Sequence, residues 1–141
     1  MSDSTTAFLR LANQARSQIV EITPQELSRA KPLPMIIDVR EADEYAQGHI
    51  SGAKSLSRGI LEQKGAQLIP DFSTPLVVYS SRGERGSLAA AGLLRMGYQN
   101  VRSLKGGLQN WLESGGTVET SKQYQNPRRE RAWWPVRVGQ I

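Results

Sequence analysis

Cysteine is absent from all 141 residues. Disulfides and thiolate metal sites are therefore excluded, and so is the usual nucleophile of cytosolic redox chemistry. Histidine occurs once, as His49, which rules out a multi-histidine metal centre; no metal and no organic cofactor is expected. Also missing is any run of about 18 apolar residues, so no membrane span is expected. The opening stretch MSDSTTAFLRLANQARSQIV has no basic segment followed by unbroken apolar residues, so it does not read as a secretory leader and a cytoplasmic location is expected.

What is present suits one soluble domain with a single core: 38% hydrophobic residues and a length within the single-domain range. The formal charge of +5 favours anionic partners in a general way. Much of that charge lies in residues 117–141, where Lys122, Arg128, Arg129, Arg131 and Arg137 face only Glu119 and Glu130. This segment is poor in aliphatics, is broken by Pro127 and Pro135, and carries Trp133 and Trp134. Cations beside exposed tryptophans could stack on nucleic acid or dip into a membrane interface, but adjacent tryptophans in a terminal segment more often pack on their own domain or on a partner copy, so nucleic acid is not an expected partner. The chain thus divides into an N-terminal helical extension (1–19), a central domain (20–116) and a basic, tryptophan-containing tail (117–141).

Apolar spacing predicts an amphipathic helix over 5–19. Thr23, Pro24 and Glu26 then form a helix start, with a T-x-x-E capping box and proline at the first helical position. MIIDVR (35–40) and PLVVYS (75–80) are continuous apolar runs, the mark of strands buried on both faces. Short helices are expected after residue 41 and over 58–69, a brief strand at 53–56, a helix over 86–96 closed by Gly97, a strand at 100–104, and a last helix at 106–114. Strands alternating with helices predict an α/β three-layer sandwich, a central parallel sheet flanked by helices. Ligands of such sheets bind beyond the carboxyl ends of the strands.

The loop S-S-R-G-E-R-G, residues 80–86, lies at such an end. Successive amides curling into a helix N-terminus form an anion-binding concavity, Gly83 permits the turn, and Arg82 and Arg85 add charge. The same composition also suits an ordinary solvated loop. It is not a nucleotide loop, because G-x-x-x-x-G-K-[ST] does not occur. Nor does it read as a hydrolase elbow: G-x-S-x-G is missing, and His49 would have to be the base for Ser80 or Ser81.

Taken together, D-V-R-E followed by E-Y-A-Q-G-H-I-S-G-A, the loop Y-S-S-R-G-E-R with its alanine-rich helix, and G-Y-Q-N-V-R-S-L-K-G-G-L-Q-N-W resemble the single-domain rhodanese (thiosulfate sulfurtransferase) family across about residues 20–116. The resemblance implies a rhodanese-like fold whose loop cysteine takes sulfane sulfur from thiosulfate, or another anionic donor, as a persulfide and passes it to cyanide, a thiol or a protein thiol. By position, the catalytic cysteine falls on Ser80 and the loop-closing arginine on Arg85. Donor-binding amides fall on Ser81, Arg82, Gly83 and Glu84, Arg58 lies at the rim, and Asp38 and Arg40 support the loops. His49 matches a structural turn histidine, and Trp111 reads as core. The six-residue loop matches sulfurtransferases; the related cell-cycle phosphatases have one residue more. A serine hydroxyl cannot carry a persulfide, so the chain is expected to be inactive in sulfur transfer. Two readings remain: a sulfurtransferase scaffold lacking its nucleophile, or a non-catalytic module binding an anion or protein partner.

Overall fold

The computed structural model describes residues 3–121, so the basic tail beyond Ser121, with Trp133 and Trp134, lies outside the described residues. Its elements, in chain order, are α1 (Asp3–Arg16), β1 (Val20–Ile22), α2 (Pro24–Arg29), β2 (Met35–Asp38), α3 (Ala42–Gln47), β3 (His49–Ile50), β4 (Lys54–Ser55), α4 (Arg58–Leu68), β5 (Leu76–Tyr79), α5 (Glu84–Met96), β6 (Val101–Leu104), α6 (Gly107–Glu113) and β7 (Val118–Glu119). Five strands form one parallel sheet in the order β1-β6-β5-β2-β4, while β3 and β7 pair antiparallel beside it.

The expected three layers are present, and the central strands explain why. Along β5 the side chains alternate: Leu76 and Val78 enter one core with Ile37, Leu61, Leu93 and Val101, beneath α4 and α5. Val77 and Tyr79 enter the other with Ile22, Leu27, Leu104, Leu108 and Trp111, beneath α2 and α6. Each face of the sheet thus buries its own apolar surface, which is why these strands read as unbroken hydrophobic runs. Trp111 is buried as expected, and its indole N–H donates to the Thr117 carbonyl at 3.0 Å.

Local signals explain the helix starts and stops. Thr23 Oγ1 accepts from the Glu26 amide at 3.1 Å and the Glu26 carboxylate accepts from the Thr23 amide at 2.9 Å, the reciprocal capping box. α5 ends at Gly97 in the left-handed conformation.

Several boundaries differ from the sequence reading. α1 stops at Arg16 instead of running to residue 19, because Ile19 turns in against the core and Val20 begins an edge strand. α5 begins at Glu84, two residues earlier than expected, because Gly83 supplies the turn and already accepts from the Ser87 amide. The short strands β1, β3 and β7 were not expected, and the 53–56 strand is reduced to Lys54–Ser55. Among the described residues, no helix is long and apolar enough to cross a membrane.

Candidate active site

β5 delivers Ser80 to the carboxyl end of the sheet, between β2 and β6. The chain then turns through Ser81, Arg82 and Gly83 into α5. Gly83 has φ +119°, a backbone conformation that side chains other than glycine rarely adopt. Within this turn Ser80 Oγ accepts two backbone hydrogen bonds, from Gly86 at 3.0 Å and Gly83 at 3.3 Å. Ser80 is almost wholly buried, so its side chain forms the floor of the loop.

The loop is held from a second side by α6. The Leu108 amide donates to the Ser80 carbonyl at 2.8 Å, and the Gln109 amide to that of Ser81 at 3.0 Å. This approach requires Gly107, which has φ +64° and where a Cβ would fall 2.4 Å from the Ser80 carbonyl oxygen. The G-G of the third sequence motif therefore serves the 80–86 loop, 20 and more residues away in the chain.

Behind the loop lies a buried charged pair. Asp38, at the end of β2, takes Arg40 Nη2 at 2.8 Å and Nε at 3.1 and 3.2 Å on its two oxygens, and the Arg40 amide at 2.9 Å. Arg40 Nη2 also donates to the Gly48 carbonyl. Burial alone would lower the Arg40 pKa, but hydrogen bonding to Asp38 and its charge hold the guanidinium above its ordinary value. Tyr79 lies beside this pair, its hydroxyl accepting the Ile50 amide at 3.0 Å; burial and the nearby Asp38 charge push its pKa up. The pair thus ties β2, β5 and the turn at Gly48 together beneath the loop.

Arg85 does not stand free over the loop. Its Nη1 donates to Glu44 Oε1 at 2.8 Å and its Nη2 to Oε2 at 3.1 Å, with a further bond to Ser81 Oγ at 3.2 Å. These bonds from Arg85, opposed by partial burial, pull the Glu44 carboxyl down to about 2. Glu44 was not among the residues singled out from the sequence. Its position in α3 is visible there through the E-x-x-E box with Glu41, but a partner 41 residues away is not.

Arg82 is exposed and has no hydrogen bond or ion pair among the described residues, while Glu84 is half-buried at the start of α5. Arg58 begins α4, its amide donating to the Val39 carbonyl at 3.0 Å. Its side chain lines a groove of about 390 Å³ with Leu11, Gln14, Leu88, Ala91 and Arg95, between α1 and α5. The structure therefore brings Ser80–Gly86, Asp38 and Arg40 to one end of the sheet and sets Arg58 on a neighbouring groove. His49 is buried against β7: Nδ1–H donates to the Tyr45 carbonyl at 2.8 Å, Nε2 lies 3.3 Å from Glu119 Oε1, and the ring stacks on Tyr45.

Known proteins share this fold. The rhodanese-like domain family matches residues 23–114. A thiosulfate sulfurtransferase, GlpE, from Pseudomonas paraeruginosa is 31% identical over 112 residues, covering 79% of this chain and 87% of its own. The rhodanese-like domain of Anabaena Alr3790 is 30% identical with a TM-score of 0.66, over 76% of this chain and 83% of that one. The Rhodopseudomonas palustris protein RPA3614, described as of unknown function and a possible tyrosine phosphatase, is 27% identical with a TM-score of 0.71, over 79% and 93%. This chain belongs to the rhodanese-like family, its fold is that of a sulfurtransferase scaffold, and it contains no cysteine.

Proposed function

We propose that the 80–86 loop binds the anionic end of a sulfane-sulfur donor of the thiosulfate class, and that the chain as it stands binds without transferring sulfur. The observation carrying this reading is Ser80 Oγ held by the Gly83 and Gly86 amides at the mouth of α5. Those amides and the helix dipole would stabilise negative charge at that atom and on a ligand above it. With a thiolate there, sulfur transfer would balance simply. The thiolate forms a bond to the outer sulfur of thiosulfate, that sulfur's bond to the sulfonate breaks, and sulfite leaves with the electron pair. A serine hydroxyl is far less acidic and would give an S–O bond instead of a persulfide. A phosphatase reading has less support, because the six-residue loop is one short of the phosphatase length and those enzymes also need the cysteine.

Ser80 equally supports the second reading, a non-catalytic module that captures an anion or a protein partner at an intact loop. Titrating the chain with thiosulfate while following backbone amide resonances separates the two ligand types. Saturable shifts confined to residues 81–86 are expected. Their absence would overturn the anion reading and favour a protein partner.

A further inference from the structure

The groove beside Arg58 is built by three helices, since α1 and α4 both pack against α5. α1 supplies one wall through Leu11, Gln14, Ala15 and Gln18, a single helix face at i, i+3, i+4 and i+7. α5 supplies Leu88, Ala91 and Arg95, and α4 supplies Arg58. α1 precedes residues 23–114, the stretch shared with the family, so one wall of the groove lies outside the common domain. Ala15 and Ala91 are buried at its floor, Leu88 is half-buried, and Leu11 stays 56% exposed. Phe8, one turn before Leu11 on the same face, is 37% exposed. Arg58 and Arg95 are exposed, and among the described residues neither side chain has a hydrogen bond or ion pair. None of the lining residues is acidic; Glu62 of α4 lies against Gly92 of α5 and pairs with neither arginine. In sequence, each of α1, α4 and α5 carries one more cation than anions.

We infer that this groove docks an acidic amphipathic helix of a partner protein, its apolar row seated on Leu11, Leu88 and Ala91 and its flanking carboxylates on Arg58 and Arg95. Charge argues against two other occupants. The chain's own residues 122–141 hold five cations and one carboxylate, the wrong sign for this surface. A second copy seated face to face would set one cationic groove against another. Docking here is independent of what the 80–86 loop binds.

The probe is a fluorescein-labelled synthetic helix of about 12 residues with a leucine row flanked by glutamates, and its twin has lysine in place of every glutamate. Anisotropy titrations use the full chain. The acidic helix should bind saturably and weaken as salt rises, and the lysine twin should not bind. Arg58→Glu and Arg95→Glu should each weaken the acidic helix about tenfold, because an attraction is lost and a repulsion gained. The double variant should instead bind the lysine twin, a gain that a misfolded protein would not give. Leu11→Ser, at an exposed position, should weaken the acidic helix about tenfold at every salt concentration. Arg82→Gln, in the 80–86 loop, should leave its affinity unchanged. No binding of the acidic helix, equal affinity for the two helices, no change in either arginine variant, or a loss confined to Arg82→Gln would overturn the inference. Dimerisation seen by sedimentation and abolished by Leu11→Ser would also overturn it, and would assign the groove to a second copy.

Discussion

Ser80 Oγ and the backbone N–H of Gly86 lie 3.0 Å apart, linking the last residue before the turn to the first turn of α5. With the Gly83 amide at 3.3 Å, this makes the Ser80 hydroxyl the acceptor around which the loop closes. The oxygen therefore caps the loop, and under the proposed function it stands where a sulfurtransferase would carry its nucleophile.

Removing it should destabilise the domain. Ser80→Ala leaves two buried amide hydrogens without their acceptor, at a cost of about 1–3 kcal/mol. Urea denaturation of the two proteins measures the difference; an unchanged midpoint would show that the bonds contribute nothing.

The Glu44–Arg85 pair gives a prediction in acid. Glu44 titrates at about 2 in the folded protein, below its ordinary 4.5. Its contribution to stability is present above about pH 4.5 and is lost as pH falls towards 2. Both side chains are about a third exposed (32% for Arg85, 36% for Glu44), so solvent screening holds that contribution to about 1 kcal/mol or less. Glu44→Gln should flatten the acid limb of the stability profile in that window and leave its shape above pH 5 unchanged. Parallel profiles for both proteins would contradict the assignment.

Asp38 and Arg40 form a buried pair, and breaking it from one side strands a charge. Asp38→Ala leaves the Arg40 guanidinium with the Gly48 carbonyl as its remaining described hydrogen-bond partner. A loss of about 3–5 kcal/mol is expected, read from chemical denaturation. A loss below about 1 kcal/mol would mean that Arg40 swings out to water.

How much of this was legible in the sequence follows from what each signal depends on. The β2 and β5 strands and the end of α5 at Gly97 were readable because apolar runs and a left-handed glycine act locally. The strands β1, β3 and β7 are two or three residues long, too short for any periodicity, and form only because longer elements bring their partners alongside. Ser80, Gly83 and Asp38 could be placed at the loop because they sit at strand ends or in the turn itself. The partnership of Arg85 with Glu44 was not legible: sequence gives the charge of an arginine but not the carboxylate that α3 presents to it. Gly107 was legible as part of a motif, but its reason, the close approach of α6 to the Ser80 carbonyl, is purely tertiary.

Under the proposed function, the 80–86 loop is a sulfurtransferase site lacking only its sulfur atom. The decisive measurement is thiosulfate:cyanide sulfurtransferase activity of this chain beside its Ser80→Cys variant. Thiocyanate formation is expected from the variant and none above background from the chain as it stands. Turnover by the serine form, or inactivity of both proteins when both are folded, would contradict the proposed function.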